Sequence, residues 1–289
     1  MNNDNLIRKF RIERNITQKD LAHNLCSRGT LSKFENGDSN INANLLFNLL
    51  ERMNITYEEY AHYKNDDMLS KKEQLKKEFS NKILNNEHSK SYLEDIHNEY
   101  ILSKDIYYLF LYCQGMAIYN KLNNKNINLN NEIDVIKKHL DSVETWGVFE
   151  LTMYTNTLYL FDYNQTIDQF DKIYSHIDKF SNYTRMKHIK IHFLVNSIIL
   201  SFEHNRPKLT NKYLDKLFES SDDVDLILGR IFWKFFTGLL NLKQGKSNFD
   251  AEVTLSWLRG LGHYDLANHF SEIQESVQLS DNQKSFKSY

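Results

Sequence analysis

Five residues that suit contacts with nucleic acid bases lie within a short N-terminal segment: Ser27, Arg28, Gly29, Thr30 and Lys33. Arginine and lysine can donate hydrogen bonds to guanine O6 and N7, serine and threonine can meet several base edges, and a threonine methyl group can touch thymine. Glycine has no side chain and lets a backbone come close to its partner. On one outward face of a helix, these residue types predict direct reading of bases in the major groove of DNA.

Three further polar residues flank this segment. Gln18 lies at the start of the preceding helix, where a side-chain amide and the backbone N–H groups can hold a phosphate. Asn36 and Asn40 lie in the following turn and are further candidates for contacts with the DNA backbone. The alternative is a plain five-helix bundle whose exposed arginine and lysine side chains are only solvated.

Local signals place these residues in a small domain of residues 1–65. Thr17 is a suitable N-cap with Asp20 three positions on, Ser27 is a suitable N-cap for the next helix, and Gly37 can end that helix in the left-handed conformation. The predicted helices are 4–14, 17–24, 28–35, 42–53 and 56–63. The second and third form the helix-turn-helix, which apolar side chains hold together: Leu21, Ala22, Leu25 and Cys26 against Leu31 and Phe34.

The rest of the chain also favours helices, so the predicted fold class is all-α. One proline and nine glycines in 289 residues leave few helix breakers and few of the turns that β-rich folds need. Residues 66–86 alternate charges around a thin apolar stripe, which predicts a linker helix. Residues 87–289 contain ten helical stretches that pair at intervals of about 34–43 residues, the range of tetratricopeptide-like two-helix arrays.

Composition limits the function classes. The formal net charge of −2 excludes a surface that is basic throughout, although residues 1–40 carry seven basic against five acidic side chains. The two cysteines have no CxxC spacing, no signal peptide is evident, and no stretch reaches the roughly 18 apolar residues of a membrane span, so we expect a cytoplasmic protein without a membrane partner.

Patterns that would indicate an enzyme or a metal site are missing. The sequence has no phosphate-binding glycine loop, no HExxH and no GxSxG pattern, so we expect no enzyme, no cofactor and no bound metal. His188 and His192 have i, i+4 spacing but no evident third ligand, and ordinary helix-face histidines are the expectation.

Two segments resemble one known family of regulators. The stretch from Cys26-Ser-Arg-Gly-Thr-Leu-Ser-Lys-Phe-Glu-Asn to Gly37, and on to Ile55, is similar to Cro/repressor-type helix-turn-helix proteins and more closely to the Rgg/GadR/MutR family of low-GC Gram-positive bacteria. Residues 146–151, Trp-Gly-Val-Phe-Glu-Leu, are similar to a segment of that family's C-terminal domain. We expect Trp146 and Glu150 to serve packing and inter-helix bonding rather than ligand binding.

The resemblance implies a homodimeric transcription factor. Residues 87–289 would then be a sensor and dimerisation domain that binds a short secreted peptide taken back into the cell, as in quorum sensing. The two-fold symmetry of such a dimer implies double-stranded DNA with an inverted repeat, whose half-sites lie about one helical turn apart.

Polar residues on otherwise apolar inner helices are candidates for contact with the peptide. Amides can meet a peptide backbone, and a cation can hold a carboxylate. The residues that fit are Gln114, Asn156, Asn196, Arg230 and Lys234. The alternative is that the two asparagines bridge neighbouring helices in the core while Arg230 and Lys234 extend to solvent.

Two other functions remain open at this point. One is a regulator of the same family that needs no ligand or responds to acid, for which histidines near pH 6 would be the sensors. The other is a tetratricopeptide scaffold that binds proteins and no longer reads DNA.

Overall fold

A computed structural model describes residues 3–64, 70–84, 87, 89–123, 125–180, 182–247 and 249–279. Every regular element among these residues is helical, which confirms the all-α fold class. The chain divides into two compact units, residues 1–87 and 88–289. No described helix is long and apolar enough to cross a bilayer.

The N-terminal unit begins with five short helices and ends with a longer one. In chain order they are α1 (Asn3–Glu13), α2 (Gln18–Ala22), α3 (Arg28–Glu35), α4 (Ala43–Arg52), α5 (Tyr57–Lys64) and α6 (Lys71–Leu84). Within α6, Phe79 is buried while Leu75 and Ile83 are half-buried, so the helix carries the thin apolar stripe that was predicted. Residues 65–69, 85 and 86, which include the first predicted stripe residue, Leu69, lie outside the described residues.

Capping side chains begin the two helices of the helix-turn-helix where the sequence predicts. The Thr17 hydroxyl accepts a hydrogen bond from the backbone N–H of Asp20, and the Ser27 hydroxyl accepts one from the N–H of Thr30. Gly37 follows α3 with a φ of 82°, the left-handed conformation that glycine adopts at low cost. These caps satisfy backbone groups that a helix end leaves without partners, and they set the ends of α2 and α3.

One apolar cluster holds the first five helices together. Leu21 and Ala22 of α2 and Leu31 and Phe34 of α3 are all buried in it. Cys26 is half-buried and packs against the same cluster at its edge. The opposite sides of α2 and α3 are therefore left to solvent.

The C-terminal unit has ten α-helices among its described residues. They are α7 (Lys90–Ser103), α8 (Ile106–Leu122), α9 (Asn130–Ser142), α10 (Val148–Thr157), α11 (Tyr163–Asp178), α12 (Thr184–Glu203), α13 (Pro207–Glu219), α14 (Ile227–Lys243), α15 (Phe249–Gly260) and α16 (Tyr264–Leu279). Short 3-10 helices cover Leu158–Leu160 and Val224–Leu226. The helix predicted at 145–161 begins later than expected because Gly147 is its N-cap, and it ends in the first of these 3-10 turns.

The second helices of successive pairs stack on one another. Direct contacts link α8 to α10, α10 to α12, α12 to α14 and α14 to α16. The middle of α12 is buried on all sides, because α10, α11, α13 and α14 all contact it. This explains why its sequence is apolar nearly all round.

One glycine lets two helices of this unit come unusually close. A Cβ atom on Gly238 of α14 would collide with the backbone nitrogen of Ala251 in α15. The missing side chain allows the backbones of α14 and α15 to touch, and the loss of helix propensity at Gly238 is offset by this close packing.

Candidate nucleic-acid interface and second-helix face

The predicted base-reading residues form an exposed surface on α3, which we call the α3 face: Ser27, Arg28, Gly29, Thr30 and Lys33. All five are exposed. They lie opposite Leu31 and Phe34, which are 1% and 4% exposed and anchor the helix in the core. The helix therefore presents its polar residues outward from a fixed apolar base.

Ser27 and Thr30 also hold the first turn of α3. Besides capping the Thr30 N–H, the Ser27 Oγ lies 2.9 Å from the Thr30 Oγ1. One of the two hydroxyls donates to the other, so their orientations depend on each other. Both keep a lone pair for a partner outside the protein.

The protein's own packing does not require glycine at position 29. A Cβ atom there would meet only the Ser27 Oγ, at 3.7 Å, which is an ordinary contact. The residue is helical, exposed and outside the left-handed region. Any need for a small residue at this position must come from something that approaches the α3 face.

Gln18 is tied to a buried carboxylate beneath the α3 face. Its Nε2 donates to the Glu35 Oε2 at 2.8 Å, and its Oε1 lies 3.5 Å from the Arg28 Nε, at the limit for a hydrogen bond. Arg11 of α1 donates two hydrogen bonds to the same Glu35 carboxylate, of 2.6 and 2.8 Å. The chain Arg11–Glu35–Gln18–Arg28 thus links α1 and α3 through the first residue of α2.

This network keeps the Glu35 carboxylate ionised. Burial acts to raise the pKa of Glu35, but the hydrogen bonds from Arg11 and Gln18 outweigh it and hold the pKa below its ordinary value of 4.5. The Glu35 side chain is 0% exposed and the Arg11 side chain 11%. Gln18 keeps one amide N–H that Glu35 does not use, so it can still donate to a phosphate.

The two asparagines after α3 are both exposed. Asn36 is the C-cap of α3, and its own N–H bonds to carbonyls of the last turn. Asn40 lies in the segment that leads to α4. They stand near the end of the α3 face, and their side chains make no hydrogen bond to the described residues.

The five predicted peptide-binding residues all lie on second helices: Gln114 on α8, Asn156 on α10, Asn196 on α12, and Arg230 and Lys234 on α14. The structure separates them into two groups according to whether their polar atoms have internal partners.

Asn196, Arg230 and Lys234 are engaged inside the unit. Asn196 is 7% exposed, and its Nδ2 donates to the Thr155 carbonyl at 2.9 Å while its Oδ1 is buried without a partner. The Arg230 Nε donates to the Ser221 carbonyl at 2.6 Å. These contacts match the core-bridging role for Asn196 that the sequence left open.

Arg230 and Lys234 do not simply extend to solvent. The Arg230 guanidinium lies 3.6 Å from the centre of the Phe218 ring, a cation–π distance. The Lys234 Nζ bonds to the Asp250 Oδ1 at 2.5 Å and lies 5.6 Å from the Trp257 ring. The Lys234 charge is therefore paired with a carboxylate, while the Arg230 guanidinium is held by a carbonyl and an aromatic ring.

Gln114 and Asn156 form the second group. Both are half-buried on α8 and α10, and neither amide makes a hydrogen bond to the described residues. Because α8 and α10 contact each other, these two amides belong to neighbouring helices of the stack. We call this part of the surface the α8–α10 face.

The Trp-Gly-Val-Phe-Glu segment has a local structural role. The Trp146 Nε1 donates to the Leu140 carbonyl at 2.9 Å, and the Gly147 N–H donates to the Glu150 Oε2 at 3.0 Å. The other Glu150 oxygen lies 3.5 Å from the His139 Nε2. The Trp146 bond fastens the segment before α10 to the end of α9, and Glu150 caps α10 and packs beside His139 of α9, which agrees with the packing and bonding role predicted for Trp146 and Glu150.

A cavity of about 470 Å³ opens elsewhere, where the ends of α11 and α13 meet the start of α12. Two ion pairs line it, Lys187 with Asp223 and Lys190 with Asp178. None of the five predicted peptide-binding residues lines this cavity. In the described residues no three His, Cys, Asp or Glu side chains gather as a metal-binding group.

Sequence reasoning missed Glu35, Arg11 and Arg52. Glu35 is one turn after the buried Leu31 and directly follows the buried Phe34, so the helical period places it on the inward face. A carboxylate there signals a buried cationic partner, although the sequence does not say which arginine it is. Arg52 bonds to carbonyls at the end of α2, and no local pattern indicates this contact.

Family models match both units. The C-terminal domain of the HTH-type transcriptional regulator Rgg matches residues 67–272, and a helix-turn-helix model matches residues 7–60.

Solved structures share the fold over almost the whole chain. A protein of Listeria monocytogenes EGD-e described as a transcriptional regulator has 19% identity and a TM-score of 0.84, covering 98% of this chain and 99% of its own. The SHP pheromone receptor Rgg2 of Streptococcus dysgalactiae has 20% identity and a TM-score of 0.74, covering 95% and 99%. PrgX in a complex with cCF10 has 15% identity and a TM-score of 0.73, covering 95% and 99%.

Proposed function

We propose, since this chain belongs to the Rgg family of helix-turn-helix transcriptional regulators, that it is a homodimer whose two α3 faces read the half-sites of an inverted-repeat operator. A short peptide that binds the C-terminal unit would control this reading. In this proposal residues 1–65 bind DNA, and residues 66–86 link them to residues 87–289, which sense the peptide and dimerise.

The observation that carries the DNA-reading part is the exposed α3 face. Arg28 and Lys33 are free of internal ion pairs among the described residues, so their charges are available to guanine or to phosphates. Gly29 leaves space that the fold itself does not use. Gln18, Asn36 and Asn40 would hold the flanking DNA backbone and set the register of α3.

The peptide part is supported by family membership and by the α8–α10 face. The solved relatives include the SHP pheromone receptor Rgg2 and PrgX in a complex with cCF10. The free amides of Gln114 and Asn156 can each donate to a carbonyl and accept from an N–H of an extended peptide backbone. Asn196 would shape this region through its bond to the Thr155 carbonyl of α10, whereas the internal bonds of Arg230 and Lys234 lie further along the stack, on α14.

Selection of sequences from a random DNA library with the purified full-length protein tests the first part. We expect enrichment of one inverted repeat with half-sites about one helical turn apart. Enrichment of no sequence would contradict DNA reading and favour a protein-binding scaffold.

A titration with synthetic short peptides encoded beside the gene tests the second part. We expect one of them to bind the full-length protein and to change its affinity for the selected duplex by about 5–150-fold, the usual range of coupling between two sites. Binding of that duplex with unchanged affinity at saturating concentrations of every such peptide would support a ligand-independent regulator instead.

A further inference from the structure

The end of α2 carries two carbonyl groups that the local backbone leaves without partners. In the turn between α2 and α3, the N–H groups of Leu25 and Cys26 both donate to the Ala22 carbonyl, at 2.9 and 3.0 Å. No backbone N–H of the described residues donates to the carbonyl of Leu21 or His23. A short helix that ends in this way needs donors from elsewhere.

Arg52, at the end of α4, supplies these donors. Its NH1 group bonds to the His23 carbonyl and to the Leu21 carbonyl at 3.1 Å, and it lies 3.4 Å from the Asp20 carbonyl. The guanidinium also places a positive charge at the negative end of α2, where a cation is favoured. One side chain thus closes the C-terminus of the helix that precedes α3.

The backbone that carries Arg52 is rigidly held. The N–H of Asn54, which has a φ of 57°, donates to the Glu51 carbonyl at 2.9 Å, and the N–H of Ile55 donates to the Leu50 carbonyl at 3.0 Å. This pair of bonds is the Schellman arrangement for ending a helix. Leu50 and Ile55 are both buried in the core, so Arg52 reaches out from a fixed point.

The segment that Arg52 holds is the one that aims α3. Asn24, in the middle of the turn, has a φ of 57°, a left-handed conformation that few residues other than glycine adopt at low cost. Ser27, three residues on, is the N-cap of α3 and the first residue of the α3 face. A looser turn would let the start of α3 vary in position, and ordering it again on DNA would cost conformational entropy.

We propose that Arg52 is a positioning residue for DNA reading, which acts by clamping the turn between α2 and α3 and does not itself touch DNA. This inference rests on the proposed function. The alternatives are that Arg52 binds a phosphate directly or that it only adds stability.

The test compares Arg52→Gln and Arg52→Lys with wild-type full-length protein, and uses Lys64→Gln as the charge-matched control. Lys64 is exposed at the end of α5 and makes no hydrogen bond or ion pair to the α2–α3 turn among the described residues. The probes are the duplex that the wild-type protein selects from a random library and an unrelated duplex of equal length. Affinity is measured over a range of salt concentrations and expressed per folded molecule.

For Arg52→Gln we expect about a tenfold loss of affinity for the selected duplex, ~1.4 kcal/mol, with little change for the unrelated duplex. The salt dependence should stay as in wild type, because no phosphate contact is lost. Arg52→Lys, whose ammonium can still donate to the carbonyls, should recover part of the loss. The amides of Leu25 and Cys26 should exchange hydrogen faster in Arg52→Gln and not in Lys64→Gln.

Three results would overturn the proposal. An equal loss for both duplexes with a salt slope lower by about 1 would show a direct phosphate contact. Unchanged affinity per folded molecule would leave only a stabilising role. If the wild-type protein selects no sequence, the proposed function itself fails, and unchanged exchange at Leu25 and Cys26 would still separately refute the clamp.

Discussion

The α3 face and the polar residues of the second helices were both predicted from polar residues on helices, yet they differ in how far the fold itself uses their polar atoms. On the α3 face every predicted base-reading residue is exposed, and apart from the Ser27–Thr30 cap the internal bonds lie beneath it, at Gln18 and Glu35. On the second helices, three of the five predicted side chains themselves form hydrogen bonds inside the unit. An outward polar residue is available to a partner, whereas a polar residue among apolar helices is first required by its own core.

The largest expected effect concerns the buried charge beneath the α3 face. Removing one partner of a buried ion pair costs about 3–5 kcal/mol, because the other charge stays buried and unpaired. Glu35→Ala should therefore lower the free energy of unfolding of the N-terminal unit by about 4 kcal/mol. Hydrogen exchange of the α1 and α3 amides in the full-length protein measures this.

The matched control is Glu13→Ala, which removes an exposed carboxylate 4.0 Å from the Lys9 Nζ. Exposed pairs contribute little, so we expect a change below about 1 kcal/mol. Equal effects of the two substitutions would mean that the α3 face does not depend on a buried network.

The same network predicts a dependence on pH. Since the pKa of Glu35 in the folded protein lies below its ordinary 4.5, ionised Glu35 stabilises the fold above about pH 4.5, and this contribution is lost as the pH falls through the lower folded value. In Glu35→Gln the N-terminal unit should lose less stability between pH 6 and pH 3 than in wild type. Hydrogen exchange of the α3 amides at several pH values measures the stability of the N-terminal unit in both proteins. Parallel curves of stability against pH would contradict the stabilising role of ionised Glu35.

The next effect concerns the α3 face itself. A good bidentate contact to a base is worth about 1–3 kcal/mol. Arg28→Ala should weaken binding to the selected duplex by about 30-fold and relax the base preference at one position of each half-site. Repeating the library selection with the variant checks both, and Lys64→Gln again controls for the lost charge. Unchanged preference at every position would remove Arg28 from the base-reading set.

The N-terminal site was predictable because its signals are local. Thr17, Ser27 and Gly37 set the ends of α2 and α3 through partners within a few residues, and the helical period then decides which side chains face outward. Side chains cap the starts of α7, α8 and α11 in the same way, whereas α9, α12, α13 and α14 begin without a capping side chain. The predicted and observed helices still agree closely, because apolar periodicity locates a helix even where no side chain caps it.

The bonding of the polar residues on the second helices was not predictable to the same degree, because their partners are distant in sequence. Asn196 bonds to the carbonyl of Thr155, 41 residues away, and Lys234 to Asp250, 16 residues away. Arg52 reaches Leu21 across 31 residues. Helical spacing shows that a polar residue lies on an inner helix, but only tertiary packing decides whether its polar atoms are used.

A smaller effect on stability is expected for Asn196, whose amide is hydrogen-bonded inside the C-terminal unit. Asn196→Ala removes the bond to the Thr155 carbonyl but also removes a buried oxygen that has no partner, so we expect a destabilisation of only about 1 kcal/mol. The control is Asn211→Ala, an exposed residue whose amide bonds to the Pro207 carbonyl within its own helix. Thermal unfolding followed by the tryptophans, which are all in the C-terminal unit, measures both. A loss above about 3 kcal/mol would mean that Asn196 has further partners in the folded state.

The smallest effect on stability is expected for the free amides of the α8–α10 face. Asn156 is half-buried and has no internal bond among the described residues, so Asn156→Ala should change the free energy of unfolding by less than about 0.5 kcal/mol. The same substitution should weaken binding of the responsive peptide by about tenfold, because a peptide group would lose its partner. Asn196→Ala should weaken peptide binding less at equal folded fraction, because the Asn196 amide already bonds to the Thr155 carbonyl. Calorimetric titration of the three proteins distinguishes them, and a greater loss of peptide affinity in Asn196→Ala than in Asn156→Ala would reverse the division between bonded and free residues drawn from the structure.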